Sequence, residues 1–78
     1  MNKYIGRIVG NTQKTITISG KRGEAFKVGD RVEIINKDKQ KLIMNVRLTG
    51  GGKQKVVTIP QHLWDLFKKG TKVIITKI

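Results

Sequence analysis

Side chains able to do covalent chemistry are scarce in this chain. It has one histidine, His62, five carboxylates (Glu24, Asp30, Glu33, Asp38 and Asp65) and no cysteine. A general acid–base pair needs two titratable groups held together, and a metal centre needs several ligands at short, regular spacing. No two of these acids stand at such a spacing, and Ser19 has no base near it in sequence. The chain is therefore not expected to be an enzyme, and neither a metal nor an organic cofactor is expected. The segment "TGGGKQK" at 49–55 has glycine amides that can cradle an anion. It lacks the G-x-x-x-x-G-K-S/T spacing, and strand-forming residues follow it where a phosphate loop needs a helix. It reads first as a mobile loop between strands, and second as a flexible basic loop that settles against a phosphate backbone.

What the sequence has in quantity is positive charge. Seventeen Lys and Arg oppose five Asp and Glu, a formal net charge of +12. Residues 1–40 hold nine bases and four acids and residues 41–78 hold eight and one, so the charge belongs to the body of the chain and not to a tail. Such a surface repels itself, and its usual counterpart is a polyanion. An anionic membrane would call for a basic amphipathic helix, which the sequence does not supply. "MNKYIGRIVG" lacks the apolar core of a signal peptide, and no run approaches the roughly 18 apolar residues of a membrane span. A cytoplasmic protein without a membrane partner is the expectation.

These charges must be positioned by short strands. "KYIGRIV" (3–9), "KTITI" (14–18), "RVEII" (31–35), "KLIMNVRL" (41–48), "KVVTI" (55–59) and "TKVIITKI" (71–78) have the β-branched content and alternation of strands. In the fourth, Leu42, Met44, Val46 and Leu48 are expected inward, with Lys41, Asn45 and Arg47 outward. "SGKRGEAF" is too rich in glycine for a good helix and reads as a loop or one loose turn. Pro60, the stripe Leu63, Leu66 and Phe67, and a stop at Gly70 predict a short helix in the second half. The expected core is Phe26, Phe67, Ile16, Ile18, Val32, Ile34, Val57, Ile59, Val73 and Ile75, with Trp64 partly buried against a strand.

The two halves resemble each other. A gapless offset of 41 residues matches Gln13, Lys14, Thr17, Ile18, Phe26, Lys27, Gly29, Val32 and Ile34 with Gln54, Lys55, Thr58, Ile59, Phe67, Lys68, Gly70, Val73 and Ile75. The repeated unit is strand, strand, helix or loop, strand. One unit is too small to close a core. Two units, about 3–37 and 44–78, are expected to form one mainly β domain over 1–78, a six-stranded pseudo-twofold barrel without open edges.

"KQKVVTIPQHLWDLF" followed by "KKGTKVIITK" resembles the AbrB-type (SpoVT/AbrB) swapped-hairpin DNA-binding domain. That family has a strand ending in T-I-P, a helix, and a G-D-like turn into another strand. "KTITIS…FKVGDRVEII" is similar, with Val28, Gly29 and Asp30 at the turn. The chain departs from the family in having Lys14 and Lys55 where glycine is usual, Ser19 in place of the first proline, and both copies in one chain. The ββαβ-ββαβ order is that of the related cradle-loop barrels, which include enzymes and adaptor domains. The resemblance implies duplex DNA binding by a transcription regulator, through bases of the first two strands of each copy and their connecting loop. Carried over by position, that implicates Arg7, Asn11, Lys14, Arg47, Lys53 and Lys55.

The outward bases complete the candidate interface. Lys3 shares a strand face with Arg7, Lys41 with Arg47, and Lys21 and Arg22 lie in the irregular segment of the first copy. Gln54, with Asn11, Thr12 and Gln13, adds hydrogen-bonding groups for phosphates or base edges. Single-strand binders display several exposed aromatics, and Tyr4, Phe26, Trp64 and Phe67 are the whole supply. Duplex DNA is accordingly favoured over RNA. An RNA-associated basic barrel, and an antitoxin-like or adaptor module with an acidic protein partner, are the rival readings. Both a monomer and a hairpin-exchanging homodimer remain open.

Overall fold

Alternation over short segments makes strands of nearly every stretch that carries it, and the connections between them are tight. The computed structural model describes residues 3–10, 12–49, 52 and 54–78, excepting the side chain of Thr49. Along the chain come β1 (Lys3–Arg7), β2 (Thr15–Ile18), the one-turn helix α1 (Gly20–Gly23), β3 (Arg31–Ile35), β4 (Lys41–Asn45), β5 (Arg47–Thr49), β6 (Gln54–Thr58), a 3-10 turn (Gln61–Leu63) and β7 (Lys72–Lys77). Among the described residues these form two antiparallel sheets, one in the order β1-β7-β3-β4 and one in the order β2-β6-β5.

Seven strands replace the six expected, and the ladders do not run into one closed barrel. The cause lies at Val46. Its N–H donates to the Asp30 carbonyl at 2.9 Å and its carbonyl accepts from Gly29 N at 2.9 Å. Those bonds turn the expected fourth strand into β4, paired with β3, and β5, paired with β6. Arg47 and Lys41, expected on one strand face, therefore lie in different sheets. Leu48, expected inward, is 50% exposed at the edge strand β5. At the opposite corner the sheets touch through a single bridge, Val9 with Thr15.

The helix expectation is also corrected. Between β6 and β7 the described residues form a 3-10 turn in place of the expected helix, and the α-helical turn, α1, belongs to the first half. Residues 59–71 connect β6 to β7, and they bring Phe67 into the core through a series of close turns. Trp64 N bonds Gln61 O at 3.2 Å, Leu66 N bonds Leu63 O at 3.0 Å, and the indole Nε1 turns back to Ile59 O at 2.9 Å. These tight closures win over a regular helix, and Leu66 is left exposed.

The strand registers obey the offset seen in the sequence. Ile16 pairs with Val57 and Ile34 with Ile75, and Thr15↔Thr58 exchanges with Thr17↔Val56 when each residue is replaced by its offset-41 equivalent. The first strands follow an offset of 38 instead: Lys3, Ile5 and Ile8 correspond to Lys41, Ile43 and Val46. Ile8 accepts from Gly70 N at 2.7 Å and donates to Thr71 O at 3.1 Å, the counterpart of the Val46 pair. The second half thus carries three additional residues between its first and second strands. All ten expected core residues are buried, joined by Ile8, Val46 and Val56.

Candidate nucleic-acid interface

Placed on this frame, the bases picked out from sequence separate into distinct settings. Lys14 and Lys55 occupy equivalent positions at the starts of β2 and β6. The Lys55 ammonium donates to Gly23 O at 2.5 Å and Phe26 O at 2.6 Å, closing the C-terminal end of α1. The Lys14 ammonium lies 4.4 Å from the centroid of the Trp64 ring, a cation–π contact. Trp64 stands at the position equivalent to Gly23, so each lysine reaches the same point of the opposite half. Both are half-buried and engaged within the protein.

The Lys55 clamp holds the start of β6 against α1. Lys21 and Arg22 are exposed on that helix, Gln54 is exposed at the start of β6, and Arg47 is exposed one strand further on, across from Val56. Lys21 and Arg22 thus adjoin the Lys55 clamp with Glu24 as the neighbouring acid, whereas Gln54 and Arg47 lie on the other face of β6, because Arg47 pairs with Val56 while Lys55 pairs with Leu48.

The equivalent positions of the second half have a different character. Its counterparts of Lys21, Arg22 and Gln54 are His62, Leu63 and Gln13, and that of Arg47, by the offset of 38, is Val9. The three positions that hold Lys21, Arg22 and Arg47 in one set thus hold no Lys or Arg in the other.

Lys3 and Arg7 share the outer face of β1, as expected, and Arg7 Nη1 donates to Gly70 O at 3.1 Å. Cross-strand pairing sets Lys72 beside Arg7. Lys37 and Lys39, from the β3–β4 hairpin, line the same groove as Lys72. These three bases escape a reading along the chain because only the register brings them to Arg7. Asn11 and Lys53 lie outside the described residues.

Two further polar clusters are internal supports. Asp30 accepts from Lys27 N at 2.7 Å and meets Lys77 Nζ at 3.2 Å. The Lys27 amide, and after it the Lys77 ammonium, hold the Asp30 carboxyl below its ordinary 3.8. Buried Asn36 donates to Leu66 O at 2.8 Å and to Gln40 Oε1, while its Oδ1 accepts from Asp38 N and Gln40 N. With every polar atom of that side chain partnered, Asn36 offers nothing to a ligand. Among the described residues no group of three or more His, Cys, Asp or Glu is placed to hold a metal ion, and no helix is long and apolar enough to cross a membrane. No family model matches the chain, and no curated protein or solved structure matches it.

Proposed function

We propose that this protein binds nucleic acid, duplex DNA ahead of RNA, as an AbrB-like regulator, through positions on α1, β5 and the start of β6. The observation that carries the reading is the charge difference between two equivalent sets of positions: Lys21, Arg22 and Arg47 in one, His62, Leu63 and Val9 in the other. In this reading the halves are copies of one ββαβ unit about a pseudo-twofold axis, β4 and β5 being one bent strand of a barrel-like frame. The frame preserved its core and its lysine clamps while only one set of positions acquired cations. Exposed Lys and Arg carried by α1 and β5 are suited to phosphate contacts, which position a protein on a duplex.

The aromatic side chains support duplex over single strands. Phe26 and Phe67 are in the core, and Trp64 is covered by Lys14. Tyr4 packs edge-on against Phe26 with ring centroids 6.2 Å apart, and its hydroxyl donates to Thr17 O. That leaves no stacking platform among the described residues.

The test is a salt series on duplex DNA, structured RNA and single-stranded RNA, repeated for the Lys21→Gln/Arg22→Gln/Arg47→Gln variant. Each lost phosphate contact should flatten the log–log salt slope by about 0.9 on duplex DNA. An unchanged slope and affinity in a folded variant overturns the assignment to these positions. Tighter binding to RNA at every salt concentration overturns the preference for DNA.

A further inference from the structure

The outer face of the four-stranded sheet does not suit a polyanion. Register places Ile5 opposite Ile74 and Ile74 opposite Ile35, so three isoleucines form one row across β1, β7 and β3. Ile5 is 60% exposed and Ile74 40%, and Ile43 on β4, 49% exposed, adds a fourth next to Glu33. A groove of about 310 Å³ runs between Ile5, Ile74 and Ile35 on one side and Lys72, Lys37 and Lys39 on the other. Arg7 extends that basic flank on β1, beside Lys72.

We propose that this face docks an acidic amphipathic helix of a partner protein. Its apolar stripe would lie on the Ile5–Ile74–Ile35 row, with its carboxylates against the Arg7–Lys72–Lys37 flank. Three adjacent strands span about 10 Å, close to the width of a helix, and apolar residues at i, i+3 and i+4 form a stripe of matching size. Charge decides among occupants. A second copy would set one +12 body against another, cation flank against cation flank. Nucleic acid would satisfy the lysines and leave the isoleucines against phosphate. A bilayer is flat where this face is grooved, and the face has no Trp or Tyr of the kind that anchors at a membrane interface. An acidic helix with an apolar stripe meets both halves of the surface. This inference uses other residues than the nucleic-acid reading and stands or falls separately.

The probe is a fluorescein-labelled helical peptide of about 18 residues, long enough to hold helix when docked, with leucines at i, i+3, i+4 and i+7 and glutamates along one flank. Titration into the wild-type protein, read by anisotropy and by backbone amide shifts, should give saturable binding with shifts on β1, β7, β3 and the β3–β4 hairpin. The Ile5→Thr/Ile74→Thr variant keeps β-branched residues in the strands and should bind at least about tenfold more weakly. Its duplex affinity should match wild type. A peptide of the same composition with the stripe scrambled should also lose at least about tenfold. Equal binding by the scrambled peptide overturns the proposal, because charge alone then explains the contact. So do wild-type shifts confined to α1 and β6. Binding to vesicles of anionic lipid that the isoleucine variant abolishes would assign the face to a membrane. A dimer in sedimentation that the same variant dissociates would assign it to a second copy. Either result overturns the helix as occupant.

Discussion

Lysine is the commonest base here, yet individual lysines do different work, and their partners separate them. Lys55 spends its ammonium on the carbonyls of Gly23 and Phe26. Replacing it by methionine keeps the stem and strips two buried-side acceptors of their donor, which costs on the order of 1–3 kcal/mol. Denaturant melts should show that loss, while the duplex salt slope falls by less than one contact. Lys21 should show the reverse. Asp30 carries the pH dependence at this scale. Its folded pKa is depressed by the Lys27 amide and Lys77, so its contribution is complete above the unfolded carboxyl value and disappears as pH falls through the lower folded value. Thermal melts should find Asp30→Asn less stable than wild type at pH 7. The gap should narrow below about pH 4, where the unfolded carboxyl begins to protonate, and close once the folded carboxyl has done so. A gap that persists at the acid end would assign the loss to packing instead.

At the scale of elements, the turns hold as much information as the strands. Gly10 has φ +113, and a Cβ built there would lie 1.8 Å from the backbone oxygen of Gln13. The turn between β1 and β2 therefore accepts no side chain without moving, and Gly10→Ala should destabilise by more than the ~1 kcal/mol that such a change gains at a compatible site. Denaturant midpoints at constant m would measure it. Phe26 and Phe67 fill equivalent core positions, so each change to alanine should cost about 3–5 kcal/mol. Such elements were legible because alternation and the offset of 41 put the same residue types at the same depth twice. The second-half helix misled because Leu63, Leu66 and Phe67 satisfy helical spacing, while the bonds of Leu63 N to Pro60 O, Trp64 N to Gln61 O and Leu66 N to Leu63 O, with the indole on Ile59 O, hold the segment in tighter turns. The Val46 bend was hidden for another reason. Alternation continues in the sequence through Leu48, and only the bonds to Gly29 and Asp30 redirect the strand. The isoleucine row is the clearest case of what a one-dimensional reading omits. Ile5, Ile35 and Ile74 belong to three separate strands, and register alone makes them neighbours.

For the molecule as a whole, the question is whether +12 acts as a diffuse field or through places. A diffuse field predicts that any two charges removed weaken every polyanion and every acidic peptide alike, since long-range attraction follows net charge and is screened by salt. The fold argues for places: Lys21 and Arg22 belong to α1, whereas Lys37 and Lys72 line an isoleucine groove on the four-stranded sheet. Two variants of identical net charge separate the alternatives. Lys21→Gln/Arg22→Gln should flatten the duplex DNA salt slope by about two contacts and leave the acidic helical peptide nearly unaffected. Lys37→Gln/Lys72→Gln should weaken that peptide several-fold, in the range of a few charge-assisted contacts, and leave the duplex slope within about half a contact of wild type. Both pairs are exposed, so thermal midpoints should stay close to wild type. Anisotropy titrations of both ligands against both variants form a crossed design in which each surface is the other's control. Equal losses in all four titrations would mean that charge alone recruits partners and that neither face is a site. A crossed pattern would mean that one small frame holds two addresses, one for phosphate and one for an acidic helix.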